Sequence, residues 1–468
     1  MDTTNNKLWQ KSASELAAGI ANRSFTTTDV VKAHLGRIDE VNPELNAIVH
    51  RFDQQALATA AKVDAAIAAG EALGPLAGVP FTIKENIDYV ESATTQGLPA
   101  LAEAIPGTNS PIVDRMLDAG AIPIGRTNLP EMGLRLHTDN ALHGATVNPW
   151  NSNKTTGGSS GGEGAALASG MSPFGLGNDI GGSLRNPATC CGIASIKPTQ
   201  GVIPHALTIP MEDEPISFQL MLSDGPMART VKDVRLGLNI LKGYHPRDPN
   251  SISAELTQLD RPLKIALMAE PPGGETNPDV AEATRKAAQA LADAGCVVTE
   301  AAPSCFEETV ELWASLLMND ITMTYPLLEP LLSKDATTFV EDLRQDRPES
   351  TIEGYATALT QRANLGRQWA SFFSDYDVLL SPTWTELPYQ VGWDIAEPGN
   401  AVATMMQARC VLPANALGLP SACVPATEGD GLPVGGMLTG ARFTDELCLK
   451  AAEIIEQAMP QCTPIDPR

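Results

Sequence analysis

The chain has 468 residues, 43% of them apolar and 19% charged, with 39 Gly and 36 Pro; this is the make-up of a globular enzyme with a sizeable core, and it excludes a disordered or fibrous chain. Its 56 acidic residues outweigh 32 basic ones for a formal charge of −24, which repels phosphate backbones and anionic bilayers and leaves a small neutral or cationic molecule as the expected partner. No basic-then-apolar leader opens the chain and no apolar run reaches the length of a membrane span, so a cytoplasmic protein with neither membrane nor nucleic-acid partner is expected.

Taken in order, Leu16, Ile20, Val30, Val31, Leu35 and Ile38 recur at helical spacing, so Ser14 to Ala69 is expected to be helical, with Thr27 or Thr28 before Asp29 as an N-cap. Pro75 to Pro80 is turn material, and Phe81-Thr-Ile-Lys84 is a short strand that ends on a charge. A helix over Asp114 to Ala119 and a strand over Ala121 to Gly125 follow. The helix through Ala165 to Gly170 starts inside a glycine-rich loop. Pro204 to Pro215 and Lys242 to Arg261 are irregular. Pro262 to Met268, Asp279 to Ala294 and Val297 to Thr299 then make a locally βαβ-like unit, and Cys305 to Phe373 is mainly helical. Val378 to Pro382 and Ala422 to Pro425 are buried strands, and Thr444 to Met459 is a closing amphipathic helix.

The alternation predicts an α/β layer architecture in one domain over 1–468. It has a helical N-terminal part (1–75), a core (76–240), a strand-helix and helical insertion (241–375) and C-terminal core strands with a helix (376–468). The eight cysteines show no CxxC spacing and are expected as reduced, mostly buried thiols; the six histidines form no HExxH, so no metal and no cofactor is expected.

Chemistry concentrates in two segments. Thr156-Gly-Gly-Ser-Ser-Gly-Gly-Glu163 flanks two adjacent hydroxyls with glycines and runs into Ala-rich helix, unlike a flexible connector. In Leu176-Gly-Asn-Asp-Ile-Gly-Gly-Ser183-Leu-Arg185, paired glycines free the N–H groups of Ile180, Gly181, Gly182 and Ser183 to converge on a developing oxyanion. A serine needs a base, and no histidine pairs with a supporting acid; Lys84, enclosed by Phe81 to Ile83 and Ile87, has its neutral form favoured by desolvation.

Together, Gly78-Val-Pro-Phe-Thr-Ile-Lys84-Glu-Asn-Ile-Asp88 and residues 155–199 resemble the amidase signature family. The likeness continues through Gly225-Pro-Met-Ala-Arg229, Asp377 to Pro382, Gly418 to Pro425 and Gly431 to Met437. Ser183 lies 24 positions after Ser159, the family's separation, which picks Ser159 over Ser160. The resemblance implies a single α/β/α domain around a mixed twisted sheet. It also implies a cis peptide between Gly158 and Ser159, Ser183 as nucleophile, Ser159 as relay, Lys84 as base, and oxyanion donors from Ile180 to Ser183. Ser160, Asp179 and Arg185 are expected to support the site, the last two by a charge-assisted pair.

Two departures stand out: Asn178-Asp179-Ile180 where many members carry Thr-Asp-Thr, and Glu163 where a small residue or Ser is common. Neither is expected to touch the triad. Walls are expected from Glu131 to His143, His205 to Phe218 and Trp313 to Met323, where Met132, Leu134, Leu136, Trp313, Met318 and Met323 suit an apolar or aryl acyl amide or anilide. Carbamates and aryl esters fit the same triad. The catalytic subunit of a glutamyl-tRNA amidotransferase is an alternative that the family motifs share. An esterase using Gly157-Gly-Ser159-Ser-Gly161 would need a preceding strand and a supported histidine, which Asn148 to Lys154, His205 and His245 do not supply. The oligomeric state is not readable from the sequence; a homodimer is the commonest closed assembly.

Overall fold

The computed structural model describes residues 5–347 and 350–468. Among them, one sheet takes β1 (Ile48–Arg51), β2 (Pro80–Lys84), β3 (Ile122–Thr127), β4 (Phe174–Asp179), β5 (Ala194–Lys197) and β6 (Ser223–Ala228) from the first half of the chain. The second half adds β7 (Lys264–Leu267), β8 (Val297–Glu300), β9 (Val378–Pro382), β10 (Ser421–Gly429) and β11 (Leu432–Gly440). The spatial order is β1-β3-β2-β4-β6-β5-β10-β11-β9-β7-β8. β2 runs parallel to β3 and β4, and β7 parallel to β8 and β9, while the middle is antiparallel. The sheet is therefore mixed, and the fold is α/β.

Side chains alternate across each strand, and the alternation separates two cores. Val378 and Leu380 of β9 join Val424 and Leu438 in one apolar cluster; Leu379 joins Cys423, Met437, Trp313 and Trp369 in the other. Helices cover both: Val231–Leu241 and Asp445–Ala458 pack on the first, Phe306–Leu328 and Ile352–Asp375 on the second. No described helix is long and apolar enough to cross a membrane. The eight cysteines are free and six are buried.

Several local expectations need correction. The stretch from Ser14 to Ala69 is broken by β1: Asn46 takes the left-handed conformation (φ 49°) that ends the Thr27–Leu45 helix, and the chain then pairs with β3. That helix is capped by Thr26, one residue before the expected cap. The side chains of Thr26 and Asp29 each accept from the other's backbone N–H in a capping box, while the N–H groups of Thr27 and Thr28 donate to Asp64. β4 and β6 carry Gly175, Gly177 and Gly225 and lack the β-branched signature of strands, yet packing demands glycine at least at Gly225, where a Cβ would lie 2.5 Å from the Ile196 carbonyl.

Candidate active site

Lys84 ends β2, a strand buried along its whole length, so its side chain leaves the sheet inside the protein. Its Nζ donates to Ser159 Oγ at 2.7 Å and to Asn178 Oδ1 at 2.7 Å. Burial drives the amine down to about 7, against the opposing charges of Asp179, Asp224 and Glu163. Ser159 stands two residues before the Gly161–Ala168 helix, ahead of its N-cap Ser160, and the Gly158–Ser159 peptide is cis, as the family likeness implied. Two glycines let this segment in. Gly157 sits at φ 74°, and a Cβ on Gly158 would lie 2.6 Å from the Arg135 carbonyl, a backbone held by the buried Arg135–Asp394 pair.

Ser183 follows β4 at the start of the Arg185–Cys191 helix and lines the same cavity as Ser159. Its hydroxyl makes no hydrogen bond to a described residue, so the structure brings Lys84 and Ser159 into contact and leaves Ser183 lining their cavity without a hydrogen bond to either. Asn186 ties the two serine segments together, its Nδ2 donating to Gly181 O (3.0 Å) and Gly158 O (3.3 Å).

Asp179 and Arg185 form the expected brace: Arg185 Nε and Nη2 donate to the carboxylate at 2.9 and 2.8 Å. Burial alone would raise Asp179, but Arg185 and the Asn415 amide draw it down to about 2. The brace narrows the set of N–H groups left free in this loop. Asp179 Oδ1 already accepts from Gly182 N at 2.8 Å, and Oδ2 from Leu184 N at 3.1 Å. Gly182 N–H is thus occupied, leaving Ile180, Gly181 and Ser183 without acceptors among the described residues. Trp313 Nε1 fixes this loop from outside by donating to Ile180 O at 2.7 Å. Ser160 is buried with its hydroxyl unpartnered, away from the Lys84 contact.

Of the two departures from the family pattern, Asn178 touches Lys84, contrary to expectation, whereas Glu163 makes no direct contact and acts on it through its charge. Asn178 accepts the lysine's hydrogen bond directly. Glu163 is fully buried beside it, accepting from Thr82 Oγ1 and, at 2.7 Å, from Thr127 Oγ1; burial pushes this carboxyl up to about 7. His205 also has partners that the sequence did not reveal, lying 3.0 Å from Asp224 Oδ2 and 3.1 Å from Glu214 Oε2. The signals for Asn178 and Glu163 lay in strand pairing: β4 sits beside β2, and the helix bearing Glu163 packs on both.

Two adjoining chambers meet at Ser183, sharing Met132, Gly133, Leu134, Phe218 and Ile321. Trp313, Leu317, Met318 and Gly181 line only the first; Ser159, Asn178, Leu207, Pro210, Met211 and Glu214 line only the second. All three expected wall segments contribute. Met323 does not, since it points outward at 69% exposure.

The Amidase family model matches residues 29–449. An indoleacetamide hydrolase from Bradyrhizobium diazoefficiens is 38% identical over 96% of this chain and 86% of its own length. An acylamidase from Rhodococcus erythropolis is 33% identical over 98% of this chain and 97% of its own. Among solved structures, a bacterial aryl acylamidase of the amidase signature family superposes with a TM-score of 0.83 and 26% identity, over 97% of both chains.

Proposed function

Since the chain belongs to the amidase signature family and is an amide-bond hydrolase, we propose that it cleaves amides with an apolar or aryl acyl group through an acyl-enzyme on Ser183. Neutral Lys84 takes the proton of Ser159 as Ser159 takes that of Ser183, whose oxygen attacks the acyl carbon. The N–H groups of Ile180, Gly181 and Ser183 receive the oxyanion. Ser159 returns a proton to the leaving nitrogen, and water then repeats the sequence on the ester. The observation that carries this reading is the buried 2.7 Å contact between Lys84 and Ser159. The Ser159–Ser183 bond is the one expected to close with substrate in place, as catalytic hydrogen bonds commonly do.

Proton delivery also orients the substrate. The leaving nitrogen has to face Ser159, which lines only the second chamber, so the amine belongs among Leu207, Pro210 and Met211. The acyl group then lies against Trp313, Leu317 and Met318. With apolar walls on both sides, an N-substituted amide such as an anilide suits the site, and carbamates and aryl esters share its shape. The charge of −24 supports a small-molecule substrate in preference to a charged tRNA.

Fluorophosphonate labelling followed by peptide mass spectrometry tests the assignment. Modification is expected at Ser183 and is expected to vanish in Ser183→Ala and to fall by orders of magnitude in Lys84→Ala. Near-normal hydrolysis of an acetanilide by Ser183→Ala would sink the reading.

A further inference from the structure

Three carboxylates face Lys84 from three different elements: Asp179 at the end of β4, Asp224 on β6 and Glu163 on the Gly161–Ala168 helix. Two of them already have cations. Arg185 grips Asp179 through two hydrogen bonds, and His205 stands 3.0 Å from Asp224. Although burial opposes it, the charges of Asp224 and Glu214 hold the His205 proton well above the ordinary imidazole range.

Glu163 is different. Its hydrogen-bond donors are the neutral hydroxyls of Thr82 and Thr127, and among the described residues Lys84 is the one cation that acts on it. Arg126, the neighbour of Thr127, alternates to the other face of β3, where Glu85, Asp88 and Tyr89 meet it. Thr82 and Lys84 are two apart on β2 and so share a face, which sets the Glu163 carboxyl roughly 7 Å along the strand from the base of the lysine. The fold makes room for this acid. Gly175, paired with Thr82 across β2 and β4, would place a Cβ 1.9 Å from Glu163 Oε1.

We propose that Glu163 is a positioning residue for the charge of Lys84, supplying the counter-charge that the lysine gains when it takes the Ser159 proton and so setting the pH at which the amine is free to act. The inference rests on the Ser183–Ser159–Lys84 reading. Its proton balance is simple: the neutral amine becomes an ammonium as Ser159 loses its proton, and an ionised Glu163 favours the ammonium while a protonated one does not. Burial places both groups near neutrality, Glu163 from below and Lys84 from above. The lysine works as the free base, so activity rises with pH as it deprotonates. Removing the Glu163 charge lowers that midpoint.

The test is the rate of fluorophosphonate labelling at Ser183 across roughly pH 5 to 9, where the acid limb reports the base. In Glu163→Gln the limb is expected to move down by roughly half to one pH unit. Thr127→Val removes a donor to the carboxylate, favours its neutral form and is expected to move the limb in the same direction by less. It also decides the matter alone if Glu163→Gln does not fold. A limb that stays in place, with or without a uniform loss of rate, is what a merely structural Glu163 would give and overturns the proposal, as does an upward shift. Wild-type labelling elsewhere than Ser183, or undiminished in Lys84→Ala, would remove the triad and the inference with it. A normal wild-type limb that Glu163→Gln and Thr127→Val leave unmoved removes the inference alone.

Discussion

A neutral lysine amine has two N–H bonds and one lone pair, and the surroundings of Lys84 use them unequally. Asn178 Oδ1 can only accept, so it takes an N–H and leaves the lone pair free to turn toward Ser159 Oγ. Replacing the amide by its isosteric acid, Asn178→Asp, sets a carboxylate 2.7 Å from the amine and favours the ammonium. The acid limb of kcat/KM is expected to rise by about one pH unit or more, with rate recovered at alkaline pH; a pH profile on one amide substrate checks it. The sign is opposite to that expected for Glu163→Gln. Lys84 itself was legible in the sequence only in company: a lysine at the end of an apolar strand is ordinarily a solvated charge, and it was the two glycine-serine segments, each lacking a histidine base, that singled it out. Asn178 and Glu163 were not, because what makes them matter is proximity across β2, β3 and β4, and β4 did not read as a strand.

Elements built on glycine hide from propensity reasoning, and the β10–β11 hairpin shows why. Asp430 and Gly431 occupy the two-residue loop, both with positive φ (51° and 72°), the geometry whose twist matches paired strands. In the sequence only the apolar run from Ala422 to Pro425 reads as a strand; Gly431 to Met437 carries the family likeness, but its glycines hide β11 and the turn before it. Conformation alone then separates two substitutions that both have free space around the new methyl. Gly431→Ala strains a left-handed residue and is expected to lower unfolding free energy by about 1 kcal/mol. Gly36→Ala, exposed in the Thr27–Leu45 helix, is expected to raise it by about 0.5–1 kcal/mol. Urea unfolding midpoints of the two variants against wild type decide both signs.

At the scale of the molecule, Lys84, Ser159, Asn178 and Ser183 all come from β2, β4 and the starts of two helices, between residues 80 and 191. The wall proposed to face the acyl group comes chiefly from the Phe306–Leu328 helix, which rests on the Leu412–Leu417 and Ile352–Asp375 helices, with Met132, Leu134 and Leu136 completing it from the first half of the chain. Cutting back that wall with Leu317→Ala and Met318→Ala is expected to lower kcat/KM for long apolar acyl groups by roughly tenfold, while acetyl substrates and the pH limb stay as they were. Paired kinetics on a short and a long acyl anilide measure it. The α/β class was readable from alternation of elements, whereas the strand order was not, since β5 and β6 reach their places through antiparallel pairings that no periodicity encodes.

The largest share of the first chamber's apolar wall stands on one helix, more than a hundred residues along the chain from Lys84, Ser159 and Ser183. A designer can therefore redraw that wall and leave the segments that hold those three residues untouched.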